Sequence, residues 1–264
     1  MSHSPRGTAR RWFSAVWPPK LALLAVVAIW HLAVRGLSLN PFVVPAPLDV
    51  VRAVAENPST IVSNTATTLA EAGLGLLLGT ALAVVGSVGF LYSKRLEQIS
   101  YPILLAAQAV PLIAIAPIFT LWLGFGLAPK VLLAAFLTYP LTLVSLMKGF
   151  DSCPREVLEL LYSLKATKRQ QIVTALIPSA IPMFMTSLKL GAATAIVGAI
   201  ATEYVGSISG LGFLLQHTQA QLQVALMWGV CVIAVAIGSA MYAVFAGLER
   251  LIPVETTTQA GKTL

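Results

Sequence analysis

This 264-residue chain is 57% hydrophobic and only 10% charged, whereas a soluble domain carries about a quarter charged residues, so it lacks the polar side chains to cover a water-facing surface. Its net charge of +7 is not gathered on an aromatic-rich basic face, which argues against a nucleic-acid-binding domain. The cations lie in loops beside apolar runs, the pattern of a membrane protein read for its orientation.

Arg6, Arg10, Arg11 and Lys20 precede a first apolar run at residues 21–37. A signal peptide has a similar outline, but this run lacks a clean small-residue cleavage site, and His31 and Arg35 near its end suit a membrane anchor. Residues 40–47 (NPFVVPAP) form a Pro-rich break. Pro47 then starts a short helix, 48–56, too polar to cross. A second span is expected at 69–91, with a start as early as Ile61. Its Gly75 and Gly79 make a small-xxx-small face for close helix packing.

Residues 93–97 (SKRLE) read as a short basic turn and 99–123 as a third span kinked by Pro102, Pro111 and Pro117. After a tight connection at 124–129, a fourth span is expected at 131–150. A polar stretch follows, then a fifth span at 178–204, a Gly- and Gln-rich external segment at 206–223, a sixth span at 224–248 and a disordered tail from Glu249 onward. About 20 residues give roughly 30 Å of helix, enough for the hydrocarbon core.

With six spans both ends share a side. Placing them inside leaves 13 of the 17 Lys and Arg residues cytoplasmic, 3 outside (Arg35, Arg52, Lys130) and Lys189 within a span. The expected architecture is an all-α membrane protein: a cytoplasmic tail at 1–20, six transmembrane helices within 21–250 and a cytoplasmic tail at 251–264. Cys153 and Cys231 suggest neither a disulfide nor a metal site, and no metal or other cofactor is expected.

The polar stretch at 154–178 is the most informative. Val157, Leu158, Leu161 and Leu164 fall on one face of a short helix that Pro154 starts, with Arg155, Glu156 and Glu159 around it and a basic cluster at Lys165, Lys168 and Arg169. Such a helix between two spans belongs on the cytoplasmic side. Three other polar residues stand out. Gln108 suits a helix-to-helix hydrogen bond or a solute contact. Lys189 lies either near mid-bilayer, facing protein or water, or shallow enough to snorkel. Glu203, at the external end of the fifth span, reads either as an interfacial or turn-capping residue or as a lining residue of a path and its gate.

The 154–178 stretch resembles the EAA loop of ABC importer permeases: Glu-Ala-Ala, three residues, Gly, nine residues, Ile-x-Leu-Pro. Glu159 opens the pattern and Pro178 closes it at the matching distance, with Ile177 in the Leu slot, Leu160 and Leu161 in the Ala slots, Lys165 in the Gly slot and Ala175 in the Ile slot. Residues 111–130 (PLIAIAPIFTLWLGFGLAPK) are similar to the third-span signature of nitrate-, sulfonate- and taurine-type permeases, and 209–212 (SGLG) to the Gly-Leu-Gly after their fifth span.

The resemblance implies a permease subunit, paired as a homodimer in membrane lipid of the bacterial inner membrane. Separate ABC ATPase subunits would lie below it, and an extracytoplasmic solute-binding protein would deliver solute. It makes Val157, Leu158, Glu159, Leu161, Leu164 and Lys165 the ATPase-coupling helix, and Gln108, Lys189 and Glu203 candidate path residues. It also implies a small solute such as nitrate, taurine, an alkanesulfonate or an N-heterocyclic vitamin precursor. ATP hydrolysis is expected on a partner chain, since Gly261, Lys262 and Thr263 lack the rest of a phosphate-binding loop. The alternative class is a secondary transporter, which would need a coupling-ion site and usually internal repeats. An intramembrane enzyme has no supporting constellation of side chains.

Overall fold

The computed structural model describes residues 21–22 and 24–251, with only the backbone at Ile113, and among these residues every regular element is helical. In chain order they are α1 (Leu24–Gly36), α2 (Pro47–Glu56), α3 (Pro58–Tyr92), α4 (Lys94–Ala107), α5 (Leu112–Leu123), α6 (Leu127–Asp151), α7 (Arg155–Ser163), α8 (Lys168–Gln171), α9 (Ile177–Gly206), α10 (Leu211–Ala220) and α11 (Val224–Glu249). Proline occupies the first turn of α2 and α3, where its missing N–H costs nothing.

Four helices are long and apolar enough to cross a membrane: α3, α6, the continuous run Lys168–Gly206, and α11. Their outward sides carry large apolar residues such as Leu77, Val85, Val197, Val235 and Val244, the surface expected against lipid.

The centre of the molecule is the packing of α3, α6 and α9. It depends on small residues, because lipid tails are as apolar as leucine and helices gain by close backbone approach instead. A β-carbon on Gly75 would lie 2.9 Å from the Val131 carbonyl oxygen, and one on Gly79 would lie 2.7 Å from that of Ala135. The small-xxx-small face of α3 is thus a packing face against α6. Gly198 brings α9 against the same stretch of α6, where a β-carbon would meet the Ala134 Cα at 3.0 Å. Ala72, Leu76, Ala134, Ala192, Ala195, Ile196 and Ala199 fill this core. A second cluster joins the other ends of the same helices through Phe90, Leu143, Leu146, Phe150 and Ala180.

The third expected span is a broken helix. Residues 93–97 are not a turn: Ser93 caps α4 by accepting the Leu96 N–H, and the helix starts at Lys94. The chain then leaves helix at 108–111 before α5 begins beyond Pro111. Proline has no N–H to give and disfavours helical angles at the residue before it, so Pro111 ends one helix and starts the next. Pro102 and Pro117, by contrast, stay inside α4 and α5. Neither half, at about 1.5 Å per residue, spans the roughly 30 Å hydrocarbon core alone.

The Gly- and Gln-rich segment after α9, expected to be external, contains α10, whose Leu211 and Leu214 pack with Ile61, Leu226 and Val230. The tail begins later than expected. Glu249 is still in α11, and residues 252–264 lie outside the described part.

Candidate functional site

The polar stretch forms a compact joint. α7 ends in a Schellman turn: the Ala166 N–H bonds to the Leu161 carbonyl and the Lys165 N–H to that of Tyr162, both at 2.9 Å. Lys165 takes φ +56°, so it keeps the left-handed geometry of the glycine it replaces in the motif. Thr167 and Gln170 then make a reciprocal capping box that starts α8. A π-helical turn at Ile172–Leu176 carries α8 into α9 without interruption. Residues Lys168–Gly206 are therefore one rod of 39 residues, about 58 Å long. Lys168 also lies over the Tyr92 ring at 5.3 Å, tying the start of the rod to the end of α3.

The apolar stripe of α7 divides in two. Leu158 and Leu161 are half-buried against their own chain, while Val157, Leu160 and Leu164 are 40%, 60% and 69% exposed. The outward ridge thus includes Leu160, which the sequence pattern placed only in an Ala slot, and Tyr162 extends it. Glu159 and Lys165 are exposed beside this ridge.

The three candidate path residues do not form one constellation. Gln108 sits exposed at the break between α4 and α5. It borders a cavity of about 320 Å³ lined also by Phe136, Leu137, Pro140, Thr194 and Val197. Broken backbone at membrane depth is tolerated where it lines such a cavity. Lys189 is paired: its Nζ lies 2.7 Å from Glu249 Oε2 at the end of α11.

Glu203 has no exposure at all in this conformation. It lies in a polar cluster between α3, α9 and the start of α10. Thr68 Oγ1 donates to Glu203 Oε1 at 2.7 Å and accepts the Leu211 N–H at 2.8 Å. Glu203 Oε2 accepts the Gly212 N–H at 2.7 Å, and Asn64 Oδ1 accepts the Gly210 N–H at 2.7 Å. Three successive N–H groups at the α10 N-terminus, which have no partner inside their own helix, are thereby satisfied by side chains of two other helices. The carboxylate also sits at the positive end of the α10 dipole. Gly210, at φ +104°, is required because a β-carbon there would strike the Glu203 carboxyl group.

One turn further along α3, Glu71 Oε1 receives Lys130 Nζ at 2.6 Å, with both side chains almost fully buried. Glu71 Oε2 is buried without a hydrogen-bond partner among the described residues. Lys130, counted from the sequence as an external loop charge, is in fact inside α6 and paired with α3. The sequence reading passed over Asn64, Thr68 and Glu71. The available signal was an acid at position 71 inside an apolar run, which calls for a partner.

The residues that match a known family run from 75 to 253, and the family is described as the binding-protein-dependent transport system inner membrane component. The chain is 34% identical over 205 residues to the formylaminopyrimidine transport permease protein ThiX of Halalkalibacterium halodurans, covering 77% of this chain and 81% of that one. It is 29% identical to the riboflavin transport system permease protein RibX of Chloroflexus aurantiacus, over 94% of each chain. It is 23% identical to the taurine transport system permease protein TauC of Escherichia coli, over 81% of this chain and 80% of that one. In fold it resembles a chain of the MetNI methionine ABC transporter in an inward-facing conformation, with TM-score 0.61 and 18% identity over 78% of this chain and 97% of that one. The motifs, the helical fold and this match agree: the chain belongs to the binding-protein-dependent transport system inner membrane component family and is a multi-pass membrane permease of the ABC-transporter class.

Proposed function

We propose that two copies of this chain form the translocation path of an importer in the bacterial inner membrane. α1, α3, the α4–α5 pair, α6, the α8–α9 rod and α11 act as six spans with both termini cytoplasmic. Separate ATPase subunits dock on α7, and an external binding protein delivers the solute. The observation that carries this reading is the α7 ridge of Val157, Leu160 and Leu164: it is too short to span, too apolar to leave in water, and joined to a span through a hydrogen-bonded turn. ATP binding would draw the two α7 helices together, and the rod would carry that motion across the membrane to change which side is open.

For the solute we favour an N-heterocyclic vitamin precursor over nitrate, taurine or an alkanesulfonate. The cavity at the α4–α5 break offers Gln108 and Thr194 among apolar and aromatic side chains, with no Lys, Arg or His among its lining residues. A small anion in such a place would lack the charge-assisted donors that compensate its desolvation. The relatives named for formylaminopyrimidine and riboflavin transport are also more similar in sequence than the one named for taurine.

The test is reconstitution with the partner ATPase and binding protein. Leu160→Asp is expected to leave the spans inserted while abolishing ATPase co-purification or its stimulation by loaded binding protein. Normal stimulation in that variant removes α7 as the coupling element. Solute uptake by the permease without any ATPase would favour the ion-driven alternative. A cysteine at position 157 that labels from outside would overturn the orientation.

A further inference from the structure

The polar cluster around Thr68 is well built, and none of its members is among the residues of α7 or those lining the cavity at the helix break. We propose that Thr68, with Asn64 and Glu203, positions the outer gate by holding the first turn of α10 onto the end of the α8–α9 rod. This rests on the importer reading above. Of the two readings of Glu203, it builds on the turn-capping one and not on the path-lining one, because the carboxylate is fully buried in protein and both its oxygens are used to hold the chain.

The geometry gives Thr68 the central place. Its hydroxyl is the one group that bonds both to the rod, through Glu203 Oε1, and to α10, through the Leu211 N–H. Asn64, one turn earlier on α3, takes the adjoining N–H of Gly210. Gly212 lets α10 lie directly on the rod, since a β-carbon there would fall 2.7 Å from Glu203 Cβ. Between the rod and α10 lies the short loop 207–210, where Ser207 Oγ bonds to the Ser209 carbonyl at 2.6 Å. Gly206, at the start of this loop, packs on Phe125 and Thr120 of the α5 region. A displacement of the rod at Lys168 has one continuous helical run to follow to loop 207–210, through the π-helical turn at 172–176 and past Pro182. The clamp to α3 decides whether the loop follows the rod or slips past it. Closed, the three bonds fix one position; an alternative gate position has to break and re-form them together, which makes the element two-state rather than compliant.

Thr68→Val keeps the shape of the side chain and removes both bonds, while Thr68→Ser keeps the hydroxyl. In proteoliposomes holding the full complex, the ratio of stimulated to basal ATPase activity should fall about tenfold in Thr68→Val, as expected for leaving a buried donor and a buried carboxylate without their partner. Thr68→Ser should stay within about twofold of wild type, since it restores the same bonds. The second readout is the labelling of Ser209→Cys by an impermeant maleimide, with Cys153 and Cys231 replaced by serine. In the otherwise unaltered clamp the rate should differ between nucleotide-free and ATP-bound complexes, and in Thr68→Val it should be the same in both. A normal stimulation ratio with state-dependent labelling in Thr68→Val overturns the proposal, as does a Thr68→Ser variant as defective as Thr68→Val. Should Thr68→Val not assemble, Asn64→Ala removes the Gly210 bond, together with the bond of its own amide to the Thr60 carbonyl one turn back on α3, and should lower the ratio about threefold; an unchanged ratio there overturns the proposal too. Absence of stimulation in the wild-type complex would count against the importer reading itself. The clamp would then stand or fall on whether Thr68→Val labels faster than wild type at Ser209→Cys.

Discussion

The two ends of the Lys168–Gly206 rod are stabilised in opposite ways. At the outer end nearly every polar group is satisfied inside the chain: Glu203, Thr68 and Asn64 close on three backbone N–H groups, and Glu71 pairs with Lys130. At the α7 end the backbone is well made, with a Schellman turn and a capping box, but the side-chain surface is left open and apolar. One end closes on its own side chains, and the other leaves an apolar ridge uncovered within the chain, where the proposed function places the ATPase. A continuous helical run, with one π-helical turn and Pro182 inside it, joins the two ends, which is what the proposed coupling needs.

The sharpest way to break the closed end is Lys130→Met. Removing one member of a buried ion pair leaves the other charge uncompensated and costs about 3–5 kcal/mol, whereas replacing both by apolar residues is often neutral. Lys130→Met should therefore lose most of its monodisperse protein on heating in detergent at a temperature the wild type survives. Glu71→Leu combined with Lys130→Met should recover it. Equal losses in the single and double variants would mean that the pair acts by packing rather than charge.

Gly210→Ala should have the next largest effect. At φ +104° and ψ 168° the residue occupies a region that is essentially restricted to glycine, at a cost of about 1–3 kcal/mol for other residues, and the new methyl group would also push the Glu203 carboxyl group aside. A lower melting temperature accompanied by faster hydrogen exchange at Leu211 and Gly212 is the expected result. Unchanged exchange at those two amides would show that the cluster does not depend on this close approach.

Most of the architecture was legible from hydropathy, proline and glycine. The four long apolar helices fall on four of the six expected spans, and the Gly75–Gly79 face packs as its spacing implies. The third span is instructive, because three prolines announce distortion but cannot say which of them breaks the helix. Pro102 and Pro117 are accommodated, and only Pro111 follows residues that abandon helical hydrogen bonding. The outer cluster was barely legible. Glu203 is conspicuous as an acid near a span end, but its partner Thr68, and Asn64 that joins the same cluster through Gly210, are ordinary residues more than 130 positions away, and nothing in a single sequence joins them. Lys130 misled because a lysine next to a Gly-rich connection resembles a loop charge; weighing the acid at position 71 together with the bases would have exposed the pair.

The smallest expected effect tests the open end through Lys165. A residue with a β-carbon in the left-handed region costs about 1–2 kcal/mol, and glycine avoids this at the expense of greater freedom in the unfolded chain, about 0.5–1 kcal/mol. Lys165→Gly should therefore change stability by less than about 1 kcal/mol, in the stabilising direction, and slow hydrogen exchange at Lys165 and Ala166, whose N–H groups close the turn. Lys165→Val should do the reverse, since a β-branched residue is poorly tolerated at positive φ. Geometry and charge can then be separated with Lys165→Asn, because asparagine accepts the left-handed conformation without the ammonium group. If coupling to the ATPase is the same in Lys165→Gly, Lys165→Asn and wild type, the position matters only as a turn. If both variants lose stimulation while their turns exchange more slowly than wild type, the lysine contributes its charge to the partner surface, and the open end is specified by electrostatics as well as by the ridge of Val157, Leu160 and Leu164.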